Sequence, residues 1–121
     1  MTDTTLRNSF DAPAALRRCI DFRRRILDIS QTVGAIHAAP AFSCLEAVDV
    51  IYNGLMRKDA NDAFIDRFLM SKGHGCMSQY VVLEALGILT SQDLDLYNKP
   101  TGSLGTHPDY GAPGMEASTG Y

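Results

Sequence analysis

Three histidines, His37, His74 and His107, all fall beside small or turn-forming residues, in "GAIHAAP", "SKGHGCM" and "GTHPDYG". Imidazole can donate to phosphate or sugar oxygens, move protons near neutral pH, or ligate a metal. The 37- and 33-residue spacings between them match no local zinc motif, and Asp109 is the only carboxylate close in sequence, so no metal ligand is assigned on spacing. Cys76 follows His74 by two residues, yet nothing in the sequence orients a Cys-His nucleophilic pair. An anionic organic ligand suits "SKGHGCM" better. Glycines allow close backbone approach, the following helix presents its N-terminus to negative charge, and the imidazole supplies a donor.

The elements that carry these loops follow from pattern. Pro13 near a first turn and Gly34 at the far end bound a helix to about Thr32. One face collects Leu16, Cys19, Ile20, Phe22, Ile26, Leu27, Ile29 and Val33; the other carries Arg17, Arg18, Arg24 and Arg25 with Asp21 and Asp28, spaced to pair with one another. Arg23 lies on the apolar side, where it is expected to lay its stem on the core and extend its head into water, the alternative being a partner's carboxylate. "GAIHAAPAF" reads as a loop, after which Ser43 and Glu46 fit a capping box opening a second helix. Its apolar positions Val48, Ile51, Tyr52 and Leu55 share one side.

"DRFLMS" reads as a short buried strand, placing His74 at its end. A helix is expected from Met77 to Leu86, stopped by Gly87, and Ser91 is expected to cap a short helix over "QDLDLYN". Residues 99–121 hold five glycines and three prolines without periodicity, and a loop this long is characteristically functional or disordered. Residues 1–11 are polar and expected to be flexible.

Length and charge narrow the function classes. The 121 residues suffice for one core rather than two, and 45% hydrophobic with 21% charged residues predicts a folded, soluble unit. A net charge of -3, with the only dense basic stretch interleaved with aspartates, gives no drive toward nucleic acid. No apolar run approaches a membrane span and "MTDTTLRNSF" is not a secretory leader, so a cytoplasmic location is expected. Cys19, Cys44 and Cys76 are too few and too separated for a disulfide framework and are expected to be reduced.

The ordered series "GAIHAAPAFSCLEAVDVIY", "DRFLMSKGHGCMSQYVVLEALGIL" and "GTHPDYGAPGMEASTG" resembles the amino-terminal part of the transketolase family, especially its split-chain form, from about residue 12 onward. The resemblance implies an α/β thiamine diphosphate-binding fold, a parallel sheet covered by helices, of which residues 1–121 would be a partial cofactor-binding domain. That portion would be mostly helical with one or two strands, "DRFLM" and a piece around "MEAS". It implies thiamine diphosphate and Mg²⁺ as cofactors, with transfer of a two-carbon ketol unit between sugar phosphates; the cofactor carries the difficult chemistry.

By the same resemblance His37, His74 and His107 are the catalytic candidates, with His74, Gly75, His107, Gly114, Met115 and Glu116 toward the cofactor. The family's "G-D-G" metal motif and its activating glutamate have no counterpart in these residues, so the Mg²⁺ ligands and that glutamate are expected from elsewhere. The implied partners are sugar phosphates and a complementary transketolase subunit, within an oligomer whose site lies at an interface and which leaves apolar surface on the isolated chain. A catalytically silent assembly or regulatory module, or a related ketol-transferring synthase, is the alternative.

Overall fold

The computed structural model describes residues 7, 10–34, 36–108 and 110–116. Among the described residues there are four α-helices: α1 (Ala12–Val33), α2 (Ala38–Val50), α3 (Cys76–Ala85) and α4 (Ser91–Asp95). The first begins and ends on its sequence signals. Asp11 caps it by accepting from the Ala14 N–H, Pro13 lies in the first turn, and Gly34 closes it in the left-handed region at φ 80°.

The second helix starts earlier than the capping-box pattern indicated. Pro40 stands third in α2, where its missing N–H would have no intrahelical partner anyway, so it does not break the helix. Ser43 is consequently interior and donates back to the Pro40 carbonyl, while Glu46 pairs with Arg23 rather than capping. The chain leaves α2 through a wide turn over Ile51–Leu55, in which the Met56 N–H reaches the Ile51 carbonyl five residues back.

Packing centres on α3. Its first eight residues, Cys76 to Leu83, are all buried, as expected of a helix surrounded on every side. Cys19, Phe22, Ile26 and Ile29 of α1 and Ala41, Leu45 and Val48 of α2 join it in one core with Leu94, Tyr97 and Leu104. Gly87, at φ 79°, ends this segment. Thr90, one residue before the expected Ser91, caps α4 in a reciprocal arrangement with Asp93.

The arginines of α1 do not chiefly pair along their own helix. Arg18 makes a two-point contact of 2.9 Å to each oxygen of the fully buried Asp49 of α2, and Arg25 reaches Glu84 of α3 and Asp95 of α4. Only Arg24–Asp21, at 3.7 Å, follows the intrahelical pattern among the described residues. Arg23 meets Glu46 at 2.6 Å and lies over the Phe42 ring, so its carboxylate partner is within the chain. These long-range pairs lock the helices together, which a single helix's periodicity does not reveal.

The expected strand over "DRFLMS" does not form. Phe68 and Met70 turn inward and Leu69 outward, a strand-like alternation, but no neighbouring strand exists among the described residues to complete a ladder. The two isolated bridges, Lys58 with Phe64 and Tyr110 with Ala112, lie elsewhere. The sheet of the expected α/β fold is therefore not seen among the described residues, and the unit is helical; the "MEAS" piece falls partly outside them. Among the described residues no helix is long and apolar enough to cross a membrane.

Candidate active site

His37, His74 and His107 converge. Their ring centroids lie 4.8 Å (His37–His74), 4.9 Å (His74–His107) and 5.7 Å (His37–His107) apart, the last pair stacked and the other two edge to face. One nitrogen from each lies within 4.8 Å of the others; His74 is exposed and the other two are half-buried. Each ring comes from a different segment, and each segment is held differently.

His37 is the residue immediately before α2. His74 sits in a single tight helical turn, Gly73–Gly75, that runs into α3. Lys72 joins the two segments: its ammonium donates to the Pro40 carbonyl at 3.0 Å and to Ser43 Oγ at 2.6 Å. Sequence reasoning assigns Lys72 no role, because nothing in "SKGHG" says that a side chain two residues before His74 reaches the first turns of the helix that His37 opens.

Gly75 permits the close approach of α2 and α3. A Cβ there would stand 3.0 Å from Cys44 Sγ and 3.3 Å from Met70 Sδ, so a side chain at this position would push Cys44 and Met70 aside by a few tenths of an ångström. Cys44 Sγ in turn lies 3.5 Å from Ser78 Oγ, and Ser78 donates to the Gly75 carbonyl at 2.7 Å. The His107 loop is pinned from below by α3. Tyr80 donates to the carbonyl of Gly105 at 2.8 Å and to that of His107 at 3.3 Å, and the Cys76 thiol meets the Thr106 carbonyl at 3.0 Å.

Gly114, Met115 and Glu116 sit apart from this cluster. Gly114 adopts φ 79°, where an L side chain is strained, and a Cβ there would approach the tip of Leu83 to 2.8 Å; Met115 is buried in the core; Glu116 pairs with Arg67 at 2.7 Å. Gly114 and Glu116 line a cleft of about 370 Å³ with Tyr52, Phe68, Leu83 and Ile88, and no histidine lines it. Burial pushes the Tyr52 hydroxyl up to about 12, so it stays neutral and accepts from the buried Gln79 amide at 3.0 Å.

The donor set is all imidazole, with one ammonium close by in Lys72. Three such rings can hydrogen-bond hydroxyl, carbonyl or phosphate oxygens and pass protons among them. The thiols nearby are occupied with backbone carbonyls, and the third, Cys19, is buried in the core with its pKa pushed up to about 11 chiefly by desolvation. A nucleophilic cysteine therefore does not suit this site.

Comparison with known proteins agrees with the motif series. Residues 17–121 match the family model described as "Transketolase, thiamine diphosphate binding domain". The chain is 34% identical over 101 residues to one of the subunits of the apulose-4-phosphate transketolase of Phocaeicola vulgatus, covering 81% of this chain and 36% of that protein. It is 28% identical over 100 residues to the chloroplastic transketolase of Spinacia oleracea, covering 78% of this chain and 14% of that one. The solved transketolase from Leishmania mexicana superposes with a TM-score of 0.75 at 28% identity, over 88% of this chain and 17% of that structure. The chain thus spans about a third or less of the relatives it matches. With the family model covering all but its first sixteen residues, this chain belongs to the transketolase family, in its thiamine diphosphate binding domain.

Proposed function

We propose that this chain supplies the histidine-bearing part of a thiamine diphosphate-dependent transketolase site that transfers a two-carbon ketol unit between sugar phosphates. The observation that carries the reading is the meeting of His37, His74 and His107, from three loops, at one accessible point. Membership of the thiamine diphosphate binding family supports the cofactor, and the likeness to a protein named as one subunit of a transketolase supports a complementary chain.

The imidazoles fit such a site by their chemistry. A ketose donor presents hydroxyl and carbonyl oxygens, and neutral imidazole offers one donor and one acceptor to each. Bound thiamine diphosphate supplies the electron sink for cleavage of the donor's carbon–carbon bond. His107 and His37 then hold the donor's oxygens and accept or return protons there, and the exposed His74 adds a third imidazole 4.8 to 4.9 Å from each. His74, Gly75, His107, Gly114, Met115 and Glu116 are assigned to the cofactor side, the 114–116 segment through its backbone atoms, and Mg²⁺ takes its ligands outside the described residues.

Apolar side chains left on the surface suit assembly. Leu16 (64% exposed), Ile20 and Leu27 form a stripe on α1, and Ile65, Leu69 and Ile88 lie exposed elsewhere. Measuring cofactor-dependent ketol transfer in a mixture of this chain with its complementary subunit tests the reading. Activity that needs both chains supports it; a partner fully active alone favours the silent assembly module instead.

A further inference from the structure

We propose that the three imidazoles also form a binding site for a borderline divalent transition cation, Zn²⁺ foremost, distinct in chemistry from any Mg²⁺ requirement. One nitrogen from each of His37, His74 and His107 lies within 4.8 Å of the other two. A tetrahedral Zn–N bond of about 2.0–2.1 Å places ligand nitrogens roughly 3.4 Å apart, so the most widely separated pair must close by about 1.4 Å. All three rings must turn toward a common point, the stacked His37 and His107 pair as well as the exposed His74.

The ligand set selects the metal. Three imidazoles suit Zn²⁺, Co²⁺, Ni²⁺ or Cu²⁺, whereas Mg²⁺ and Ca²⁺ demand oxygen ligands. The two cysteines nearest in space to these loops are turned elsewhere: Cys76 toward the Thr106 carbonyl and Cys44 toward the Pro40 carbonyl and Ser78. Three protein ligands leave the fourth position to water or an added oxygen ligand. Lys72 ties the segments of His37 and His74, and Tyr80 holds the backbone of the His107 loop, so the closure falls on the imidazole side chains rather than on the backbone.

Binding rests on this geometry and not on the ketol-transfer reading. Its consequence does rest on that reading: nitrogen lone pairs occupied by Zn²⁺ are withdrawn from sugar oxygens and protons, so Zn²⁺ acts as an inhibitor that excess Mg²⁺ does not relieve.

The test is titration of the metal-stripped full chain with Co²⁺, read by the visible bands of a four-coordinate nitrogen site, followed by displacement with Zn²⁺. Saturation at one ion per chain, undiminished by excess Mg²⁺, is expected, with affinity falling about tenfold or more in His74→Gln and in His107→Gln. Three paramagnetically shifted imidazole resonances in the unmodified Co²⁺ form give a readout that needs no variant to fold. Absence of saturable binding, sulfur-to-cobalt charge-transfer bands, or full affinity in the triple His→Gln variant would overturn the proposal. Neither result depends on transferase activity.

Discussion

Lys72 Nζ lies 2.6 Å from Ser43 Oγ and 3.0 Å from the Pro40 carbonyl, tying the turn that carries His74 to the helix that His37 opens. The contact is exposed and its net worth to stability is on the order of 1 kcal/mol. Its importance lies in register. Lys72→Ala is expected to lower stability by about 1 kcal/mol or less while shifting the ring resonances of both His37 and His74. Lys72→Arg is expected to restore part of the shift; unchanged resonances in the alanine variant would show that the two loops are held by packing alone.

Arg18 and Asp49 give a larger effect. Asp49 is fully buried and accepts from Arg18 at both oxygens and from the Asn53 amide at 3.0 Å. Arg18→Ala leaves that carboxylate buried without its cation, and since Arg18 itself keeps 33% side-chain exposure, the expected loss is near the low end for such pairs, about 3 kcal/mol. The double variant Arg18→Met, Asp49→Leu is expected to recover most of it, as read by urea unfolding.

Tyr97 places a hydroxyl in the core with no hydrogen-bond partner among the described residues, and burial pushes its pKa up to about 12. Tyr97→Phe removes the unpaired group and is expected to stabilise the chain by about 1 kcal/mol, read as a raised urea midpoint.

Alkaline pH should weaken the fold through the same physics. Cys19, Tyr52 and Tyr97 all have folded pKa values raised above their ordinary 9 to 10, to about 11 or 12, so the folded state keeps protons that the unfolded chain releases. Their contribution is complete below pH 9 and is lost as the pH rises through 11 and 12. Melting temperature across this range should fall less steeply in Tyr97→Phe than in the unsubstituted chain; parallel curves would contradict the assignment.

At the acid end, the Arg57 side chain and then its backbone N–H hold Asp66 down at about 2. This lowered value stabilises the 57–66 turn above the ordinary 3.8 and is lost as the pH falls through 2. Arg57→Ala should return the Asp66 titration, followed by carboxyl carbon resonance, toward 3.8.

What the sequence revealed is local. Pro13 and Gly34 mark the limits of α1, and Gly87 the end of the α3 segment, because φ restriction and φ freedom are properties of single residues. The start of α2 is obscured in the sequence because Pro40 reads as a break, although a first turn tolerates it. "DRFLMS" has a strand's alternation, but a strand also needs a neighbour, which no single segment encodes. Spacings of 37 and 33 residues exclude a local motif while saying nothing about three loops folding to one point. The family's motifs supplied that convergence, and the Lys72 and Tyr80 contacts that fix it emerge only in three dimensions.

The most direct test of the central claim is the rate of thiamine diphosphate-dependent ketol transfer by this chain assembled with its complementary subunit, comparing His107 with His107→Ala. Loss of about 100-fold or more, with assembly intact by light scattering, is the predicted result for a proton-transferring, donor-binding imidazole. An assembled His107→Ala enzyme that retains its full rate would contradict the assignment of the histidine cluster to catalysis.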